Sequence, residues 1–169
     1  TYPAPFYAAL HTGTPGDLEY YRRACEGASS VLELGCADGR VLEALGSTVV
    51  RRHGLDLHAD LLTAAGNRLG TDVVLHTADM RDFDIDARFD RILLPFSGVY
   101  CLLDDDDVAA CLARVRAHLA PDGEFVLDAY WADDFHRESD PHDAQDHDWT
   151  ELGQLVVADT PYSVFEQSR

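Results

Sequence analysis

The residues best placed to do chemistry fall in three short segments: Glu33-Leu34-Gly35-Cys36-Ala37-Asp38-Gly39, Gly54-Leu55-Asp56-Leu57 and Ala78-Asp79-Met80. In the first, glycines let the backbone approach a ligand with no Cβ in the way. Asp56 follows about 20 residues after that turn, the spacing at which an acid ending a second strand accepts hydrogen bonds from ribose hydroxyls. Asp79 and Met80 set a carboxylate beside a soft thioether that packs well on flat apolar faces. Each acid also has a plainer reading, Asp56 as a surface residue ending a strand and Asp79 as the cap of a short turn.

These segments need strands to present them. Val31 to Leu34 is a short apolar run that feeds straight into the glycine turn, and Arg40 to Leu45 reads as a helix. Further strands are expected at 49–57, 72–76, 89–94 and 124–130. Helices are expected at 61–69 and at 108–119, the latter stopped by Pro121-Asp122-Gly123. Strands alternating with helices predict an α/β fold, a doubly wound, mostly parallel Rossmann-like sheet with right-handed crossovers. In such sheets ligands bind beyond the carboxyl ends of the strands, where the strand order reverses.

The chain divides by composition into N-terminal lid helices (1–29), the Rossmann-like core (30–131), an acidic loop (132–150) and a hairpin (151–169). The hairpin forms either a lid or the sheet edge. The acidic loop holds His136, Asp140, His142, Asp143, Asp146, His147 and Asp148 with almost no aliphatic residues. It reads as solvated loop rather than a metal site. Only five core strands precede it, and the chain stops as if in mid-strand, so truncation is expected.

A formal net charge of −18 argues against nucleic acid and anionic membranes as partners. No stretch is apolar enough to span a bilayer, and the expected location is cytoplasmic. All thirteen basic side chains are arginine. That removes P-loop, Schiff-base and Tyr-x-x-x-Lys chemistry from this chain. Cys25, Cys36, Cys101 and Cys111 form no C-x-x-C pair and read as reduced, mostly buried thiols. The Asp104–Asp107 run precedes a helix and reads as its cap.

The segment Glu33 to Gly39 resembles the acidic-x-Gly-x-Gly-x-Gly motif of class I S-adenosylmethionine (SAM)-dependent methyltransferases, with Ala37 at the middle glycine. A dinucleotide fingerprint would instead need glycine at Arg40. The resemblance runs from about Ser30 to Tyr130 and points toward bacterial small-molecule methyltransferases. It implies SAM as cofactor, with S-adenosylhomocysteine as product, and a SAM site of Glu33, Gly35, Cys36, Ala37, Gly39, Asp56, Leu57, Asp79, Met80, Phe96 and Ser97. In that family Asp79 meets the adenine amine, Met80 packs on the ring, and the Pro95–Tyr100 loop lies beside the methionine moiety.

The resemblance also implies in-line displacement at the methyl group of a small-molecule acceptor, for which alignment and water exclusion do most of the work. Acceptor contacts are expected from Tyr7, His58, Tyr100, Tyr130 and Trp131. His11 is the candidate general base, against the alternative of an exposed helix histidine. Arg40 is read as exposed, with a contact to the methionine carboxylate as the alternative. No metal is required. The acceptor and the oligomeric state stay open. Two other functions stay open with them: an NAD-binding oxidoreductase and a SAM-binding module without catalysis.

Overall fold

In the computed structural model, residues 3–129, 149–157 and 160–167 are described. Five parallel strands form one sheet: β1 (Ser30–Leu34), β2 (Arg51–Asp56), β3 (Val73–Thr77), β4 (Phe89–Leu94) and β5 (Leu119–Leu127). Their order is β3-β2-β1-β4-β5, so the chain reverses direction across the sheet between β1 and β4. The expected doubly wound architecture is therefore present, with its switch point at the central strand. All five residues of β1 are buried, as a strand covered on both faces requires.

The helices are α1 (Ala4–Leu10), α2 (Asp17–Ala24), α3 (Arg40–Leu45), α4 (Ala59–Leu69) and α5 (Asp105–His118). Side-chain alternation along the strands sends Val31 and Leu93 to one face, where they join Tyr21 of α2 and Val41, Leu42 and Leu45 of α3. Leu32, Leu34, Ile92 and Leu94 go to the other face, with Phe83, Phe89 and Cys111 and Val115 of α5. α5 opens at Asp105, earlier than the expected start at Val108, and Asp104 alone of the acidic run is its cap: its side chain accepts from the Asp107 N–H at 2.9 Å. Asp105–Asp107 fill its first turn, where negative charge meets the positive end of the helix dipole.

Several boundaries differ from the sequence reading, most of all at β2 and around the end of α5. A 3₁₀ turn at Gly46–Thr48 delays β2 to Arg51. α5 stops at His118 rather than at the Pro-Asp-Gly signal, and that signal lies inside β5. Pro121 disfavours helical backbone at the residue before it, so the helix must end earlier. The strand absorbs the extra residues as an irregularity opposite Phe89 and Arg91.

β6 (Trp149–Val157) and β7 (Thr160–Gln167) pair antiparallel as a two-stranded sheet of their own and do not extend the five-stranded one. β6 thus takes in the last residues assigned to the acidic loop. The rest of that loop, with its Asp and His residues, lies outside the described residues. The chain forms two compact units: residues 12–129, and a second unit to which α1 and the β6–β7 hairpin belong. The division falls before α2, not at residue 30, because α2 buries Tyr21 in the core of the sheet. Among the described residues no helix is long and apolar enough to cross a membrane.

Candidate functional site

Pairing of β1 with β2 and of β2 with β3 sets Leu34 beside Leu55 and Asp56 beside Thr77. Three segments distant in sequence therefore end along one edge. At the first, Gly35, Ala37 and Gly39 all take positive φ, of 65°, 47° and 82°. Glycine adopts this region freely, whereas alanine does so at a cost. The turn is held from β2: the Asp56 carboxylate accepts the Ala37 N–H through Oδ2 and the His58 N–H through Oδ1, both at 2.9 Å. The His58 ring sits against the same oxygen, with Nδ1 at 3.2 Å. Asp56 thus builds the glycine turn besides ending a strand, a role the spacing alone did not reveal.

The glycines divide their work. A Cβ built on Gly35 meets only one atom outside its chain neighbours within 4 Å, the Cε of Met80 at 3.8 Å. The turn and Met80 thus lie side by side, and a side chain on Gly35 would project toward Met80. A Cβ on Gly39 would lie 2.6 Å from Leu69, so that glycine permits helix packing rather than ligand approach. Cys36 is buried, and its Sγ lies 2.7 Å from where a Cβ on Gly54 would be, so its side chain packs inward. Burial also raises the pKa of its thiol, which removes it as a nucleophile. Cys25 and Cys111 are buried too, whereas Cys101 is exposed.

Glu33 is buried, and its Oε2 has no hydrogen-bond partner among the described residues. Burial pushes its carboxyl well above the ordinary range, against the pull of the Arg40 charge. Arg40 is not the exposed residue the sequence implied. It forms a two-pronged ion pair with Asp17 of α2, at 3.1 and 2.6 Å, and both side chains are largely covered. Burial alone would raise the Asp17 pKa, but the Arg40 hydrogen bonds and charge lower it.

At the third strand end, Asp79 caps its own turn by accepting the Arg81 N–H at 2.8 Å. Its carboxylate also holds the Arg81 guanidinium, which reaches on to Asp107 of α5 at 2.7 Å. The Arg81 hydrogen bonds hold Asp79 below the usual carboxylate range. β4 pairs with β1, so the loop after it adjoins the same edge. There Phe96 and Ser97 both take positive φ, of 53° and 57°, and a short turn carries half-exposed Tyr100.

The structure therefore brings Glu33, Gly35, Ala37, Asp56, Leu57, His58, Asp79, Met80, Phe96, Ser97 and Tyr100 to the carboxyl edge of one sheet. Tyr7 and His11 belong to the other unit, where their rings stack with centroids 4.2 Å apart. Tyr130 and Trp131 lie outside the described residues. Sequence reasoning missed Asp17, Tyr21 and Asp128, whose partners come from distant elements. The residues present suit a cofactor carrying a nucleoside and an amino acid. Gly35 leaves its backbone open to a ligand beside Met80, and the buried Glu33 Oε2 is an acceptor with no partner among the described residues.

The comparisons agree with this architecture. Residues 31–123 match the family model described as a methyltransferase domain. The chain belongs to that family. It is 34% identical over 138 residues to a dTDP-3-amino-3,6-dideoxy-alpha-D-glucopyranose N,N-dimethyltransferase of Streptomyces fradiae, covering 76% of this chain and 53% of that protein. It also resembles the SAM-bound structure of CalS10, an amino pentose methyltransferase from Micromonospora echinaspora. There the identity is 31% and the TM-score 0.64, over 78% of this chain and 58% of that one. Streptomyces venezuelae DesVI aligns with a TM-score of 0.68 at 29% identity, over 78% and 58% of the two chains. The chain spans about half the length of the curated relatives it matches.

Proposed function

We propose that the chain binds SAM along this edge and that the protein methylates the amino group of a small-molecule acceptor of the amino-sugar kind. The observation that carries the reading is the convergence of Gly35, Asp56 and Met80 at adjacent strand ends, in a chain of the methyltransferase domain family. The acceptor class follows the relatives, two of which are named as amino-sugar N,N-dimethyltransferases. No comparable support exists for NAD-dependent oxidation.

In this reading SAM, when bound, supplies an electrophilic methyl on a sulfonium that is already a good leaving group. The chain's own residues bind and orient. The Gly35 backbone lies against the cofactor, and Met80 packs on its flat base. Asp56 has accepting capacity beyond its two backbone bonds and takes ribose hydroxyls. The Glu33 carboxyl faces the amino end. Asp79 meets the adenine amine only if Arg81 shares it. Leu57, Phe96 and Ser97 line the remaining wall, and Cys36, Ala37 and Gly39 contribute through backbone shape. His58 and Tyr100 are assigned to the acceptor. A bacterial, cytoplasmic setting goes with this assignment.

The test is incubation of the protein with SAM and a panel of dTDP-amino sugars, their free amino sugars and hydroxylated analogues lacking the amine, read by mass spectrometry. The reading expects gains of one or two methyl units confined to the amines. Methylation of hydroxyl analogues alone would overturn the acceptor assignment.

A further inference from the structure

Asp128 follows β5, and its carboxylate closes a three-way junction. Oδ2 accepts the Phe96 N–H at 2.9 Å, Oδ1 accepts the Ser97 N–H at 2.6 Å, and the Tyr21 hydroxyl donates to Oδ2 at 2.6 Å. Phe96 and Ser97 are two consecutive non-glycine residues in left-handed backbone conformation. That conformation is costly for any residue with a Cβ, so something must hold the pair there. A carboxylate accepting both N–H groups does so. The hydroxyl that steadies the carboxylate comes from Tyr21, which is fully buried on α2. The same helix holds the start of α3, just after the glycine turn, through Asp17 and Arg40.

We propose that Asp128 is the positioning residue of the site: steadied by Tyr21, it locks the loop after β4 in its strained form and so shapes the wall that meets the cofactor's methionine end. The inference rests on the SAM reading above for the loop's role, though the clamp itself does not depend on it. An asparagine cannot replace the carboxylate. Its one oxygen serves one side of the junction, and its amide nitrogen confronts a backbone N–H on the other. α2 therefore fixes the start of α3 and the methionine-side loop together, through Asp17 on one side and Tyr21 on the other.

The experiment is a mutant cycle on the full chain with S-adenosylhomocysteine as probe, read by calorimetry and by amide hydrogen exchange. Asp128→Asn is expected to weaken binding about tenfold, the scale of one lost charge-assisted hydrogen bond. It should also speed exchange at the Phe96 and Ser97 amides while leaving β1 and β4 protected. Glycine takes left-handed backbone without support, so in a Ser97→Gly background the effect of Asp128→Asn should shrink to about threefold. A merely structural role would move the melting temperature but show no such coupling. Tyr21→Phe keeps both loop bonds, and should raise exchange at the two amides by about threefold with the fold intact.

Loss of affinity with no rescue by Ser97→Gly would overturn the proposal, as would unchanged exchange at Phe96 and Ser97 in both Asp128→Asn and Tyr21→Phe. Faster exchange with unchanged affinity would separate the loop from the cofactor and refute the positioning role. Parent protein that binds no S-adenosylhomocysteine would sink the SAM reading instead, and the exchange data would still decide the clamp.

Discussion

Removing the Asp56 carboxylate should cost both stability and cofactor affinity, in a ratio the structure sets. Asp56→Ala strips the acceptor from the Ala37 N–H, which is buried, and from the His58 N–H, which is nearer solvent. Orphaning the first costs about 1–3 kcal/mol, and the second adds about 1 kcal/mol. Relaxation of Ala37 out of its left-handed conformation returns part of this, so a net loss of about 2–3 kcal/mol is expected. For a chain of this size that lowers the melting temperature by about 5–10 °C. Asp56→Asn keeps one acceptor and should lose about half as much. Affinity for S-adenosylhomocysteine should fall more steeply than stability, because the turn deforms and the ribose contact goes with it. Circular-dichroism melts and calorimetric titrations of both variants read the two effects separately. If both variants melt within about 1 °C of the parent, the bonds that hold the turn carry no energy and the reasoning fails.

Gly35→Val should abolish measurable S-adenosylhomocysteine binding, since its side chain would project toward Met80 where the cofactor is proposed to lie. Its left-handed backbone should also cost about 1–2 kcal/mol of stability in a urea titration. Full affinity in this variant would move the cofactor elsewhere. Glu33 gives a pH prediction. Its folded carboxyl is raised by burial above the unfolded value of 4.5, so its share of stability is complete below that value and is lost as pH rises through the folded one. Glu33→Gln should therefore stabilise the protein at pH 8 and much less at pH 4, as urea midpoints will show. Asp17 has the opposite sign. Its pKa is lowered from 3.8 mainly by Arg40, so its contribution is present above that value and fades as pH falls through the folded one. Asp17→Asn should flatten the acid limb of the same curve, and an unchanged limb would dismiss the ion pair as a stabilising element.

Much of the fold was legible because its signals are local. Val31–Leu34 and Ile92–Leu94 are short, mostly apolar stretches that run into turn residues, and buried parallel strands need such stretches. Gly35 and Asp56 were legible as site residues because strand order places successive strand ends together. The junction of Tyr21 with Asp128 left no trace, since two polar residues 107 positions apart obey no period. The Arg40–Asp17 pair escaped for the same reason, and Arg40 was read from its helix position alone. Pro121-Asp122-Gly123 reads as a helix stop because Pro-Asp-Gly also makes turns. The ending at His118 reflects the proline's influence on the residues before it. The hairpin's separate sheet depends on pairing that alternation along each strand cannot choose.

The central claim is that the edge formed by Gly35, Asp56 and Met80 is a SAM site. Calorimetric titration of the chain with S-adenosylhomocysteine, SAM and NAD, repeated on Gly35→Val, tests it most directly. Saturable one-to-one binding of the first two, none of NAD, and loss of all binding in the variant are expected. Binding of NAD without SAM, or SAM binding that survives Gly35→Val, would contradict it.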